Sequence, residues 1–115
     1  MTTMNTLVCL EPKQMAYQTR NKPQPAAGEA LLKIISAGIC GTDIHAWGGN
    51  QPFFSYPRVL GHELCGEVVE LGEGVSGWKV GQRAAVIPYL SCEQCSACLS
   101  GKTNCCENIS VIGVH

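Results

Sequence analysis

The fold is decided by residues 61–88, GHELCGEVVELGEGVSGWKVGQRAAVIP. Within them, Glu63–Leu71 is an apolar run with β-branched side chains and predicts a strand. Gly66 interrupts this run, and a glycine inside a strand marks a bulge or a close approach of another backbone. A glycine-rich turn follows, and Arg83–Pro88 predicts the next strand. The stretch therefore indicates a β protein with short strands and glycine turns.

The same pattern continues on both sides of this stretch. Thr6–Leu10 and Met15–Thr19 predict a hairpin across a proline-containing turn. Ala30–Ala37 carries aliphatic side chains on both faces, as a buried strand does, and Ser110–Val114 predicts a last strand. At 115 residues the chain has the length of one domain. Many short strands of this kind indicate a mainly β fold, either a small barrel or a sandwich.

A cysteine-rich lobe occupies residues 91–107, SCEQCSACLSGKTNCCE. Cys92, Cys95 and Cys98 are separated by two residues each, and either Cys105 or Cys106 follows as a fourth thiol. Four thiolates can close around one zinc ion as a structural site. So polar a stretch cannot bury enough surface to fold alone, and metal binding would supply the missing free energy.

An iron–sulphur cluster is the alternative for this lobe. The spacing C-x2-C-x2-C also opens the bacterial ferredoxin signature, which continues with x3-C-P. Here the next cysteine is further from Cys98, and Glu107 rather than proline follows Cys106. The spacing favours zinc, and a small metal-binding or electron-carrier module is the alternative function.

A second set of candidate ligands lies upstream, in CGTDIH at 40–45 and GHE at 61–63. The thiolate of Cys40 and the imidazole of His62 are two of the three protein ligands that a catalytic zinc takes. A third ligand or a water would complete the shell. Zinc with an open position lowers the pKa of a bound alcohol, so that its proton leaves near neutral pH. This set therefore predicts a catalytic centre.

Three neighbouring side chains can support that chemistry. The Thr42 hydroxyl can carry the proton, and His45 can accept it, because histidine is the side chain that titrates near neutral pH. Asp43 either orients His62 through its other ring nitrogen or caps a short helical turn at Thr42–Trp47.

The remaining apolar residues are assigned to the core. Cys9 and Cys65 lie in apolar strand-like runs and are predicted to be small core residues. An aromatic group between Gly38 and Leu60 either covers the core, which is the favoured interpretation, or forms a substrate wall; it comprises Trp47, Phe53, Phe54 and Tyr56.

Composition limits the partners and the compartment. The net charge is −1 and no block of Lys or Arg occurs, which argues against nucleic acid and anionic membranes. The start has no basic segment followed by an apolar one, and no apolar stretch approaches the roughly 18 residues of a membrane span. Eight cysteines without an export signal favour metal binding over disulfides. We therefore expect a cytoplasmic protein with small-molecule partners, not nucleic acid or membrane.

Together these motifs resemble the zinc-dependent alcohol dehydrogenases of the medium-chain dehydrogenase/reductase superfamily over essentially the whole chain. The resemblance is carried by the lobe and by GICGTDIHAW (38–47), PRVLGHELCGEVVELG (57–72) and VGQRAAV (80–86). Within that superfamily the chain is most similar to the polyol and sugar-acid branch, near the L-threonine and sorbitol dehydrogenases and the L-galactonate oxidoreductases.

The resemblance implies a chaperonin-10-like (GroES-like) β-barrel with a small zinc-binding lobe. By position, Cys40 and His62 match the ligands of the catalytic zinc, and Glu63 matches a glutamate that binds or neighbours it. Thr42 and His45 match the proton-relay positions. The structural-zinc positions match four cysteines, which selects Cys106 over Cys105: Cys92, Cys95, Cys98 and Cys106.

Length separates this chain from the family that it resembles. Members run to roughly three times its length, on the scale of about 100 to 200 residues per domain. No G-x-G-x-x-G that opens a βαβ unit, which is the nicotinamide-binding fingerprint, is found in the sequence. We therefore expect residues 1–115 to be an incomplete GroES-like domain, truncated before the barrel closes and without the Rossmann domain.

The resemblance also implies the activity of the parent enzyme. The parent would be an NAD- or NADP-dependent zinc dehydrogenase that oxidises a secondary alcohol of a polyol or sugar acid, and a homo-oligomer (dimer or tetramer). The 115-residue piece alone is expected to be inactive, because it holds no cofactor site.

Overall fold

The computed structural model describes residues 2–52 and 54–114, and its regular structure is mainly β, as predicted. The strands within these residues are β1 (Thr3–Glu11), β2 (Gln14–Asn21), β3 (Ala30–Gly38), β4 (Glu63–Leu71), β5 (Arg83–Ala85), β6 (Tyr89–Leu90) and β7 (Ser110–Val111). The helices are α1 (Gly41–Gly48), α2 (Ser96–Leu99) and a 3₁₀ turn (Thr103–Cys105). Over the described ranges, no helix is both long and apolar enough to cross a bilayer.

The strands form three antiparallel sheets, β1-β2, β3-β4-β5 and β6-β7, and no closed barrel forms within the described residues. β1 and β2 make the predicted hairpin, which begins with Thr3 opposite Asn21 and is longer than the sequence indicated. Lys13 takes the left-handed conformation in its turn, with φ 65°. The N–H of Lys13 donates to the carbonyl of Trp47 at 2.7 Å, which ties the hairpin turn to α1.

Fully buried apolar side chains come from three elements. Val8 and Cys9 on β1, Ala46 on α1 and Val68 on β4 are each at most 1% exposed. Cys9 is therefore a core residue, as predicted, and burial raises the pKa of its thiol. The prediction that Cys65 is a core residue is wrong in the extent of burial. Cys65 is only half-buried, on a strand that borders a cavity.

Gly66 marks a close approach of another backbone, which is one of the two predicted alternatives, and it faces a bulge in β3. It stands opposite Ile34 on β3, next to a register shift between Ile34 and Ser36. A Cβ at Gly66 would lie 3.0 Å from the Cβ of Leu32 and 3.0 Å from the carbonyl oxygen of Lys33. Only glycine lets the two strands come this close without displacement.

β3 coincides with its predicted strand, but the prediction that it is buried on both faces is wrong. Ile34 and Ile35 are 48% and 49% exposed. The physical reason is position: β3 is an edge strand of a sheet only three strands wide. These two aliphatic side chains thus lie where the described part of the chain does not cover the strand fully.

Two predicted strands are shorter in the structure. β5 ends at Ala85 instead of Pro88, and β7 ends at Val111 instead of Val114. Proline has no N–H to donate to a sheet, so Pro88 cannot extend the β5 ladder. After β7, the N–H of Val114 donates to the carbonyl of Val111 at 3.0 Å, which turns the chain out of the sheet.

Gly72, directly after β4, packs against the backbone of the loop before β3. An added Cβ would lie 1.9 Å from the carbonyl oxygen of Ala26 and 3.0 Å from that of Glu29. Because both obstacles are backbone atoms, Gly72→Ala is expected to lower the free energy of unfolding by about 1–3 kcal/mol. Gly41→Ala is the matched control, since its Cβ would meet nothing within 4 Å. Equal melting temperatures for the two variants would contradict this packing.

Candidate metal centres

The end of β3 and the start of β4 bring the upstream residues together. Gly38 is the cross-strand partner of Glu63, so Cys40, just beyond β3, comes alongside His62, just before β4. One ligand atom each from Cys40, His62 and Glu63 lie within 4.8 Å of one another. A thiolate, an imidazole and a carboxylate are the donor types that zinc takes. We call these three residues the upstream set.

Asp43 connects this set to helix α1. Its Oδ2 accepts the N–H of Cys40 at 3.0 Å, which satisfies a donor at the start of the helix. Its Oδ1 lies 3.7 Å from Nδ1 of His62, too far for a hydrogen bond, and both atoms are buried without a hydrogen-bond partner in the described structure. A metal on Nε2 would keep the proton on Nδ1, facing Asp43. The two unpaired atoms therefore fit a metal-bound His62.

Thr42 and His45 lie three residues apart on α1. The hydroxyl oxygen of Thr42 is 3.5 Å from Sγ of Cys40, so the structure brings Thr42 to the upstream set. Side chains at this spacing are neighbours on a helix surface, about 5–6 Å apart at Cβ. His45 is exposed to solvent. The structure thus places His45 one turn from Thr42 and not among the clustered ligand atoms.

A cavity of about 540 Å³ opens beside the upstream set. Besides Cys40, His62 and Glu63, its wall includes Cys65 and Tyr89. Sequence reasoning did not connect Tyr89 to the site. The residue stands two positions before the lobe in a segment without a recognisable motif, and only the fold brings it to this wall.

The aromatic group predicted between Gly38 and Leu60 lies away from this cavity in its described members. The Tyr56 hydroxyl donates to a backbone carbonyl of α1, and the guanidinium of Arg58 lies over the ring of Phe54, 4.6 Å from its centroid. Trp47 lines a separate, apolar cavity. None of these three lines the cavity of the upstream set, so they do not form a substrate wall there; Trp47 is 41% exposed, and Phe53 lies outside the described residues.

The lobe at 91–107 gathers four of its five thiols. The sulphurs of four cysteines lie within 4.8 Å of one another, and the residues are Cys92, Cys95, Cys98 and Cys106. Sγ of Cys92 and Sγ of Cys98 are 4.0 Å apart. Tetrahedral zinc bonded to each sulphur at about 2.3 Å would require separations of about 3.8 Å. Cys105 is exposed and stands outside the group.

Backbone N–H groups point at the sulphurs of this lobe. Sγ of Cys92 accepts from Gln94 at 3.4 Å and from Cys95 at 3.3 Å. Sγ of Cys106 accepts at 3.3 Å from each of two N–H groups, those of Cys92 and Asn108. For Cys92, such bonds favour the thiolate over the thiol. The loop therefore directs backbone donors at two of its sulphurs.

The thiol pKa values divide according to these bonds. The N–H groups of Gln94 and Cys95 lower the pKa of Cys92 to about 6, and backbone N–H groups, with that of Cys98 first, also lower the pKa of Cys95. Burial raises the pKa of Cys98 to about 12. A coordinated metal cation deprotonates a thiol outright, so a cation is what the buried Cys98 requires to act as a thiolate.

The two donor sets offer the ligand types that zinc takes, on a mainly β fold. Residues 26–115 match the family of the alcohol dehydrogenase GroES-like domain, and the chain belongs to this family. The resemblance derived from the motifs is thereby confirmed.

Similar proteins support this assignment. The chain is 66% identical over 115 residues to an L-galactonate-5-dehydrogenase of Escherichia coli K12, covering all of this chain and 34% of that protein. A crystal structure of the alcohol dehydrogenase rspB from E. coli CFT073, complexed with NADH, matches with a TM-score of 0.89 and 43% identity over 98% of this chain and 33% of that one.

A second solved structure extends the comparison. A putative zinc-binding dehydrogenase from Sinorhizobium meliloti 1021, bound to NADP, matches with a TM-score of 0.90 and 35% identity, covering 100% of this chain and 33% of that one. The chain thus spans about a third of the length of the relatives that it matches.

Proposed function

We propose that this chain is the zinc-binding catalytic portion of an NAD- or NADP-dependent dehydrogenase that oxidises a secondary alcohol of a polyol or sugar acid. One observation carries the proposal: ligand atoms of Cys40, His62 and Glu63 converge within 4.8 Å beside a cavity of about 540 Å³. A small alcohol fits a cavity of this size, since ligand pockets typically measure about 300–1,000 Å³.

The comparisons support the substrate class and the cofactor. The relative at 66% identity is an L-galactonate-5-dehydrogenase, which makes a sugar acid the first candidate substrate. The two solved structures hold NADH and NADP respectively, so both nicotinamide cofactors belong in the assay. A site for the cofactor is proposed in the portion of the relatives that this chain does not span.

The upstream set would hold the catalytic zinc through Cys40, His62 and Glu63. Zinc bound there would supply Lewis-acid polarisation of the substrate oxygen, and the nicotinamide would accept the hydride from the carbinol carbon. With zinc on Nε2, the protonated Nδ1 of His62 would face Asp43, which would then orient the ring. The upstream set would thus position the alcohol. The proton of the alcohol would be removed by side chains on α1.

Thr42 and His45 are proposed to carry that proton to solvent. The Thr42 hydroxyl lies beside Cys40, and His45 is exposed one turn further along α1. A hydroxyl can accept a proton on its oxygen and pass on its own, which makes Thr42 the inner member and His45 the outer member.

Removing the Thr42 hydroxyl is expected to lower kcat. Thr42→Val keeps the shape of the side chain but cannot relay a proton, and positioned acid–base groups contribute about 10²- to 10⁴-fold. Thr42→Ser keeps the hydroxyl and is the matched control. Steady-state kinetics of both variants, each in a chimera in which residues 1–115 replace the matching third of the E. coli L-galactonate-5-dehydrogenase, test the role. A Thr42→Val chimera with the kcat of the Thr42→Ser chimera would contradict it.

We further propose that residues 1–115 form an incomplete GroES-like catalytic domain, with the lobe at 91–107 held by a structural zinc. The clustering of four sulphurs around one point supports a single ion, whereas an iron–sulphur cluster would place several irons between them and spread the sulphurs further apart. The electron-carrier alternative is therefore disfavoured, because no observation on the lobe supports it over zinc.

The setting of the protein is also part of the proposal. Eight unpaired cysteines, several of them at metal-binding positions, support a reducing compartment, and we place the protein in the cytoplasm. A homo-oligomer, dimer or tetramer, is proposed from the family resemblance. A net charge of −1 supports small-molecule partners over nucleic acid or anionic membranes.

A chimera tests the activity directly. Residues 1–115 would replace the matching third of the E. coli L-galactonate-5-dehydrogenase, and L-galactonate oxidation would be followed with NAD⁺ and with NADP⁺. The proposal expects turnover with one of the two cofactors. A folded chimera that binds zinc and the cofactor but oxidises neither L-galactonate nor any polyol would contradict the proposal.

A further inference from the structure

We infer that Gly38 is a positioning residue for Glu63. The missing side chain at position 38 leaves the space into which the Glu63 carboxylate folds to reach Cys40 and His62. The inference rests on the proposed function, since it concerns metal binding by the upstream set.

The first step is the register of the sheet. Gly38 ends β3 and stands directly opposite Glu63, which begins β4, and directly opposite residues place their side chains on the same face. A Cβ at Gly38 would lie 2.3 Å from Oε2, 3.0 Å from Cβ and 3.3 Å from Cδ of Glu63. The Glu63 side chain thus occupies the volume that any side chain at position 38 would need.

The second step is that little else holds the carboxylate. Glu63 is exposed, and no hydrogen bond or ion pair restrains its carboxylate within the described residues. Its position within 4.8 Å of the other ligand atoms therefore depends on the room beside Gly38.

The third step separates positioning from folding. Gly38 is not among the glycines with positive φ, so alanine can adopt its backbone conformation. The atom that a new methyl group would strike first is the far end of a flexible side chain, which can rotate away, whereas the Cβ of Glu63 at 3.0 Å must give by a few tenths of an ångström. Gly38→Ala is therefore expected to fold with a small loss of stability and to move the carboxylate off the upstream set.

Zinc titration of the 115-residue chain tests this inference. With the cysteine lobe already saturated, a competing chromophoric chelator reports the dissociation constant of the second zinc. Groups that support metal ligands alter affinity by about 10- to 100-fold, and we expect a weakening on this scale for Gly38→Ala and for Glu63→Gln. The double variant is expected to bind no more weakly than Glu63→Gln alone. Gly41→Ala, whose Cβ meets nothing within 4 Å, is expected to match the unmodified chain.

The outcomes separate this inference from the proposed function. If Cys40→Ser leaves the second zinc unchanged, the upstream set does not bind it, and the proposed function and this inference fail together. If Cys40→Ser abolishes binding while Gly38→Ala matches Gly41→Ala, only the role of Gly38 is overturned. A Gly38→Ala effect that persists at full size in the Glu63→Gln background would overturn it as well, because the glycine would then act on another group. Melting temperatures of Gly38→Ala and Gly41→Ala, measured in parallel, exclude unfolding as the cause.

Discussion

Cys106→Ser is expected to lose the zinc of the lobe and to unfold residues 91–107, whereas Cys105→Ser is expected to keep both. The two cysteines are adjacent in the sequence. Cys106 is buried and its sulphur lies in the four-sulphur group, whereas Cys105 is exposed and lies outside that group. Structural zinc supplies on the order of 10 kcal/mol of apparent folding free energy in small zinc domains. Loss of one ligand should therefore remove most of the stability of so polar a lobe.

Zinc content and limited proteolysis measure this effect. We expect one zinc fewer per chain for Cys106→Ser and new cleavage at Lys102, which lies within the lobe. Cys105→Ser provides the control for the loss of a thiol as such. If Cys105→Ser loses the zinc and Cys106→Ser retains it, the ligand assignment is reversed and the lobe geometry described above is wrong.

Cys40→Ser is expected to abolish turnover in the chimera with the E. coli relative. A metal acting as a Lewis acid supplies several kcal/mol of transition-state stabilisation, which corresponds to about 10³-fold or more in kcat at 1.36 kcal/mol per tenfold change. The single variants His62→Ala and Cys40→Ser should lose kcat to a similar extent, because each removes a ligand of the same ion.

Cys105→Ser again serves as the control, since that thiol is exposed and outside both metal sets. Activity and zinc content should fall together in the Cys40 variant, while the lobe keeps its zinc. A Cys40→Ser chimera with the turnover of the Cys105→Ser chimera would contradict the assignment of the catalytic centre.

The local elements could be predicted from sequence because their signals are local. The hairpin, the strand at Glu63–Leu71 and the close backbone approach at Gly66 follow from β-branched runs, turn residues and an interrupting glycine, and the structure confirms all three. The spacing of thiols likewise indicated the lobe. Spacing left Cys105 and Cys106 open, since adjacent residues reach similar distances, and the structure separates them by burial.

Burial and long-range contact could not be predicted in this way. The aliphatic run that includes Ile34 and Ile35 predicts a buried strand. Burial depends on which elements cover a sheet, and β3 lies at the edge of its sheet, where both side chains are exposed. The contact between Gly38 and Glu63 depends on the register of β3 against β4, which sequence periodicity does not specify. Tyr89 reaches the cavity wall for the same reason, because separate segments of the chain meet there.

Metal analysis of the purified 115-residue chain tests the central claim most directly. Two donor sets, one of four cysteines and one of Cys40, His62 and Glu63, should each hold one zinc ion. We predict a colourless protein with two zinc ions per chain. The zinc content should fall to one ion per chain in Cys40→Ser and to one in Cys106→Ser. A brown protein containing iron, or a zinc content that Cys40→Ser does not change, would contradict it.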